Sequence, residues 1–345
     1  MALVETQKLT DMRFRYEPTA EQHAELQVQL TRLQQPAAVL DLLHSVMPVD
    51  LRPTDAICTV QKVRSDRFLL RVQAHSNGVG GRAYALKVYS DDFGRQVWAH
   101  SRTLAEHYPP NHDGLCLPSY YIPHERMLIF PWVDGVCLSK HDDDRKPELL
   151  RRAARLTATL HRLGIVPEQA TTAEMLVAEA RARYERLHKS WPDTSPIIEP
   201  LLATLEGALS LLDPAEPAPV HGDLAAGQFL WTGDRLVLID LDMFGYTDPA
   251  YDAGHFLAQL ERRCLCHPAL LVHADEWVAC FRDAYLAVMP QVSPCNVAFY
   301  RGLTLVWKIY NVCRRQPAEW RRLVPQFALR ARAALDELVS PALTK

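Results

Sequence analysis

The chain has 345 residues, 48% of them hydrophobic and 23% charged, with a formal net charge of −3. That length supports one large core or two ordinary ones, and the near-neutral balance argues against a dedicated nucleic-acid binder. No long apolar run offers a membrane span, and the opening MALVETQKLTDMRFRYEP lacks the apolar region of a secretory leader, so a cytoplasmic protein without a membrane partner is expected.

Residues 20–48 carry apolar positions at three- and four-residue intervals and predict two helices broken at Pro36. Alternation and β-branched runs then predict three antiparallel strands near 56–63, 68–74 and 82–89. GRQVWAHSRTLAEHY follows as a helix, and PSYYIPHERMLIFPWVDG as two more strands turning at His124–Arg126. From Lys146 the pattern is mostly helical, with ELLRRAARLTATLHRLG closing on a glycine. In this second half only QFLW and RLVLID read as strands, joined by TGD as a hairpin after the Pro-rich break DPAEPAP. The expected division is a helical extension (1–55), a small sheet with one internal helix (56–133) and a helical part (134–345), an α+β fold.

Eight cysteines are scattered through apolar surroundings without a framework spacing and read as reduced core residues. Cys264, Cys266 and His267 form half a zinc pattern with no second ligand pair, so no metal is expected there.

HGDLAAGQFLW, at 221–231, and LVLIDLDMFGYTDPAYDAG after it pair a loop acid and amide with carboxylates at a strand end. Each Asp or Gly alone is an ordinary turn residue. As an ordered set they suit phosphoryl transfer to a hydroxyl, where one carboxylate takes the acceptor proton while others hold magnesium against a triphosphate. Asp223 is the candidate base, and Gln228, Asp240 and Asp242 are the candidate magnesium ligands. Lys87, an ammonium within the apolar strand YALKVY, is costly to bury unless it meets an anion.

These segments resemble the aminoglycoside phosphotransferase and choline kinase family, the small-molecule branch of the protein-kinase-like fold. VHGDLAAGQFLW is similar to its catalytic loop, LIDLDMFGYTDPAYDAG to its metal segment, YALKVY to its lysine strand, IFPWVDGVCL to its inter-lobe hinge, and LTATLHRLG to its Leu-His-x-Leu helix. The resemblance implies a bilobal fold with an antiparallel-sheet N-lobe and a helical C-lobe, using ATP and Mg2+. By it, Lys87 contacts the α and β phosphates, Asp223 is the base, His221 orients the loop, Asp240 binds magnesium and Asp252 braces the loop. Phe130, Pro131, Trp132 and Val133 flank the adenine.

Three departures from the family pattern stand out. Gln228 replaces the usual Asn, offering the same carbonyl on a longer stem, a substitution similar to that in bacterial maltokinases. The Glu that pairs with the strand lysine is expected near Gln96 or Ala99, yet the helix offers only Glu106 near its end, so either Glu106 does that work or the pair is missing. The turn between the first two strands, VRSDR, has no glycine, so Ser65 and neighbouring amides are expected to meet the phosphates, while the glycine-rich SNGVGG is a plain hairpin. Residues 253–345 hold twelve Lys or Arg against seven Asp or Glu, which disfavours a polycationic acceptor and favours a sugar, amino sugar or amino alcohol. The expected activity is an ATP- and magnesium-dependent small-molecule kinase. The alternative is a pseudokinase-like regulatory module that binds nucleotide without chemistry.

Overall fold

The computed structural model describes residues 18–76, 79–109, 113–315 and 318–338. The leader reading of the first seventeen residues and the tip of SNGVGG, Asn77–Gly78, lie outside them. The chain separates into two compact units, one formed by Met1–Pro110, Leu115–Gly135 and Ile239–Asp242, the other by Asn111–Gly114, Val136–Leu238 and Met243–Lys345.

The first unit begins with helices α1 (Ala20–Leu33) and α2 (Pro36–Val46). Thr19 and Gln22 close a capping box at the start of α1, and Pro36 takes the first position of α2, where its missing N–H costs nothing. Strands β1 (Asp55–Val63), β2 (Arg67–Ser76) and β3 (Val79–Tyr89) follow, then α3 (Phe93–His107), β4 (Tyr120–Ile122) and β5 (Met127–Pro131). They form one antiparallel sheet in the order β1-β2-β3-β5-β4. The turn into β5 is a short 3-10 stretch closed by Arg126 in the left-handed region, φ 49°. Alternate residues of β2 are buried, and Phe68, Leu70 and Val72 share a core with Leu33, Leu43 and Met47 of the N-terminal helical segment. The extension and the sheet therefore bury their apolar faces against each other.

The second unit contains β6 (Val136–Cys137), α4 (Lys146–His161), α5 (Ala173–Ser190), α6 (Ser195–Ala208), β7 (Ala218–Val220), β8 (Phe229–Trp231), β9 (Leu236–Leu238) and β10 (Gly245–Thr247). Helices α7 (Ala250–Cys266), α8 (Ala274–Val288), α9 (Pro294–Arg315) and α10 (Trp320–Asp336) complete it. The expected hairpin is present, with β8 and β9 paired across Trp231 and Leu236. The expectation that no other strand occurs after Lys146 is corrected, because β7 and β10 are strands too. Two or three residues leave no periodicity to read, and β7 and β10 are strands by virtue of pairing with each other, Val220 opposite Gly245 and Ala218 opposite Thr247. That pair holds the entry to the HGD loop.

Helices α7 and α9 touch through their backbones. A Cβ on Gly254 would lie 2.6 Å from both Val297 O and Arg301 N, so only glycine allows this spacing. Among the described residues no helix is long and apolar enough to cross a membrane.

Candidate active site

In the first unit, β3 carries Lys87 into the interior at the end facing residues 239–242, leaving its side chain 12% exposed. Its Nζ donates to Asp240 Oδ1 at 2.5 Å and to Asp242 Oδ1 at 2.6 Å. Burial disfavours the ammonium, but the two carboxylates outweigh it and raise the Lys87 pKa above its ordinary value. Tyr89 donates its hydroxyl to the same Asp242 oxygen at 2.9 Å. Asp242 is thus a buried anchor, whereas Asp240, held at a left-handed φ of 66°, keeps 39% of its side chain exposed. Such a backbone state in a non-glycine residue costs on the order of 1 kcal/mol and is commonly retained where it aims a functional side chain.

Glu106 does not supply the counter-ion. It lies exposed on the last turn of α3 and makes no ion pair among the described residues, so the carboxylates facing Lys87 come from the segment after β9. Ser65 is exposed in the β1–β2 turn, closed by Arg64 N donating to Arg67 O, and its carbonyl faces His23 Nδ1 of α1 at 3.3 Å. Lys62, next to last in β1, carries no local sequence signal of its own. Burial and Arg64 lower its pKa, with Asp240 opposing and Lys87 reinforcing, which puts it in the same electrostatic neighbourhood. Phe130 and Pro131 end β5. Trp132 N donates to Ala83 O at 2.9 Å and its ring receives the Arg71 guanidinium at 4.9 Å, while Val133 leads out of the sheet.

In the second unit, the HGD loop hangs from one buried carboxylate. Asp252, on the first turn of α7, accepts from His221 N at 2.6 Å and Gly222 N at 2.9 Å, and its Oδ2 lies 3.2 Å from His161 Nε2. Burial pushes the Asp252 carboxyl up, but His161 and His221 pull it down further, so it titrates below its ordinary value. His161 Nδ1 lies 2.7 Å from the Tyr285 hydroxyl, which ties the loop through α4 to α8. Gly222 has φ +83°, and a Cβ there would sit 2.0 Å from Met243 O, so neither the conformation nor the space admits a side chain. His221 is fully buried, and its Nδ1 accepts from Asp223 N at 3.4 Å.

The loop thereby presents Asp223, whose side chain is 54% exposed. His255 Nε2, from α7, lies 3.2 Å from Asp223 Oδ1. Desolvation pushes the Asp223 carboxyl up, but His255, Lys308 and His221 overcome this and leave it below its ordinary value. Burial and Lys308 in turn hold His255 down at about 4, so it is a neutral imidazole at physiological pH. His255 and Lys308 are site residues that the sequence reading missed, because both sit within helical apolar patterns that give no local signal.

Gln228 is half-buried, and its Oε1 accepts from Ala225 N at 2.5 Å, capping its own short helix. The longer stem that Gln has over Asn is used to fold back on the loop. Among the described residues no group of three or more His, Cys, Asp or Glu could hold a metal by itself. Magnesium commonly takes few protein oxygens when nucleotide phosphates and water fill its octahedron. Hard carboxylate oxygens on an accessible Asp240 fit that demand.

The sequence profile of the phosphotransferase enzyme family (APH) matches residues 80–295. The chain belongs to this family. No curated protein matches it by sequence. Among solved structures, this phosphotransferase is similar to a choline/ethanolamine kinase family protein from Mesorhizobium loti, 16% identical with a TM-score of 0.57 over 87% of this chain and 95% of that one. It is likewise similar to a choline kinase of Streptococcus pneumoniae, 13% identical with a TM-score of 0.57 over 87% and 98%. A third is the aminoglycoside phosphotransferase APH(4)-Ia in complex with ADP and hygromycin B, 14% identical with a TM-score of 0.58 over 86% and 97%. At such identities the likeness establishes the fold, the protein-kinase-like α+β architecture expected from the sequence.

Proposed function

We propose that this phosphotransferase is an ATP- and Mg2+-dependent kinase that phosphorylates a hydroxyl group of a small molecule, with Asp223 as the base. The observation that carries this reading is the Asp252-braced HGD loop, which spends three buried hydrogen-bond donors to present one accessible carboxylate held in its ionised form. A carboxylate so held accepts the acceptor hydroxyl's proton as its oxygen attacks the γ-phosphorus in line and the β–γ bridging oxygen leaves with ADP. Lys87, charged and pre-set by two carboxylates, suits the α and β phosphates, and Lys62 and Arg64 suit a glycine-free turn that meets phosphate with cations. Trp132 N–H is already spent on Ala83 O, so the Phe130–Val133 stretch would flank the adenine with its side chains and remaining backbone groups. Magnesium, when bound, neutralises phosphate charge; Asp240 would hold it, Asp242 would keep Lys87 and Asp240 in register, and Gln228 would contribute only by also sharing the oxygen that caps its loop. The ADP in the APH(4)-Ia complex supports a nucleotide on this fold. The expected setting is cytoplasmic, without nucleic-acid or membrane partners.

The test is ADP formation followed against a panel of sugars, amino sugars and amino alcohols, with and without EDTA. Acceptor-dependent, magnesium-dependent ADP release is expected. Magnesium-dependent ATP binding with no acceptor-stimulated release across the panel would instead favour the non-catalytic module, the reading that the self-capped Gln228 favours.

His255 gives a separate prediction. Because it helps hold the Asp223 carboxyl low, His255→Phe should move the acid limb of the pH–rate profile to higher pH, as the base then protonates earlier. An unmoved limb in stopped or continuous assays from pH 4 to 8 would show that His255 does not tune the base.

A further inference from the structure

Thr304 and Lys308 lie one turn apart on α9, so they share a face. Thr304 Oγ1 is 3.4 Å from His255 Nδ1, and the opposite ring nitrogen is 3.2 Å from Asp223, which sets this face of α9 beside the loop carboxylate. Lys308 is only 8% exposed. Its Nζ makes no hydrogen bond or ion pair among the described residues and is not sealed from solvent. A charged group that is nine-tenths buried without a partner is costly, and the fold retains it where a ligand supplies the missing anion.

The surroundings add positive charge. Arg183 of α5 places its guanidinium 4.7 Å over the ring of Trp307, the neighbour of Lys308, and is paired to Glu179. Burial lowers the Lys308 pKa to about 8, with Asp223 opposing and Arg262, Arg183 and Arg315 adding to the fall, so the side chain is still largely an ammonium at neutral pH. Among the largest influences on it one is a carboxylate, Asp223, and three are arginines, of which Arg183 is paired to Glu179. A cationic acceptor would meet this ammonium unfavourably.

We propose that Lys308, with Arg183 beside it, forms an anion subsite next to Asp223, so that the acceptor carries a carboxylate or phosphate group in addition to the hydroxyl that is phosphorylated. This rests on the phosphotransfer role of Asp223. The subsite fixes the acceptor by its anionic oxygens and leaves the hydroxyl to the loop.

Two measurements test it. In the first, ATP consumption is followed with matched sets that differ in one group: glycerol, glycerate and glycerol phosphate; glucose, gluconate, glucose 6-phosphate and glucosamine. Within a set the anionic member should have the highest kcat/KM, carboxylate and phosphate being told apart by which it is, and Lys308→Met should lower its advantage over the neutral member by about tenfold or more. Preference for the neutral or amine member, or an advantage unchanged in Lys308→Met, overturns the proposal.

The second measurement needs no turnover. Thermal unfolding midpoints are compared in sodium sulfate and sodium chloride at equal ionic strength. A sulfate-specific rise is expected in the wild type and in Lys87→Met but not in Lys308→Met or Lys308→Gln, the two variants being checked for folding by circular dichroism. An equal rise in all four proteins, or a rise lost only in Lys87→Met, overturns the subsite. A sulfate effect that depends on Lys308 alongside an acceptor panel without turnover would leave the anion subsite standing and remove the phosphotransfer reading.

Discussion

Asp223→Asn is expected to lower acceptor-dependent ADP formation by about 10^2- to 10^4-fold, the range that a positioned general base contributes. The amide is nearly isosteric and can still accept from His255, so the loop geometry should survive. What is lost is the ability to take up a proton. ADP affinity, measured by calorimetry, and the far-ultraviolet dichroism should stay as in the wild type, which separates chemistry from folding. Turnover within a few-fold of wild type would exclude Asp223 as the base and leave the loop as a binding element only.

Asp252→Ala should destabilise the second unit by about 3–5 kcal/mol. It strands His221 N, Gly222 N and His161 Nε2 in an interior where the carboxylate itself is fully buried. Each donor left without an acceptor there carries a penalty of about 1–3 kcal/mol, and the neighbouring groups relax only in part. Asp252→Asn keeps one acceptor oxygen and should lose less. The urea midpoint and slope measure both. Because the folded-state pKa of Asp252 is depressed, its contribution is fully present above the ordinary aspartate range and is lost only as pH falls through the lower folded value. The Ala variant should therefore approach the wild type in stability at the acid end. A midpoint close to wild type at neutral pH would mean that the loop is held by other contacts.

The sequence by itself determined the element types and the order of the chemistry along the chain. The helix pair broken at Pro36, the antiparallel strands flanking Lys87, the TGD hairpin and the HGD loop were readable because each has its own period or turn chemistry. The bracing of the loop by Asp252 was implied by family resemblance and is visible as two backbone hydrogen bonds. The tertiary structure alone decided which charges meet. Lys87 is faced by Asp240 and Asp242 and not by Glu106, because β3 and the segment after β9 converge from positions about 150 residues apart, whereas Glu106 stays at the exposed end of its helix. Gln228 turns its oxygen onto Ala225 N, a local partner that composition does not encode. His255 and Lys308 look like ordinary members of helical patterns until α7 and α9 close at Gly254 and bring them toward Asp223. Periodicity records which face of a helix is buried; only packing records what that face is buried against.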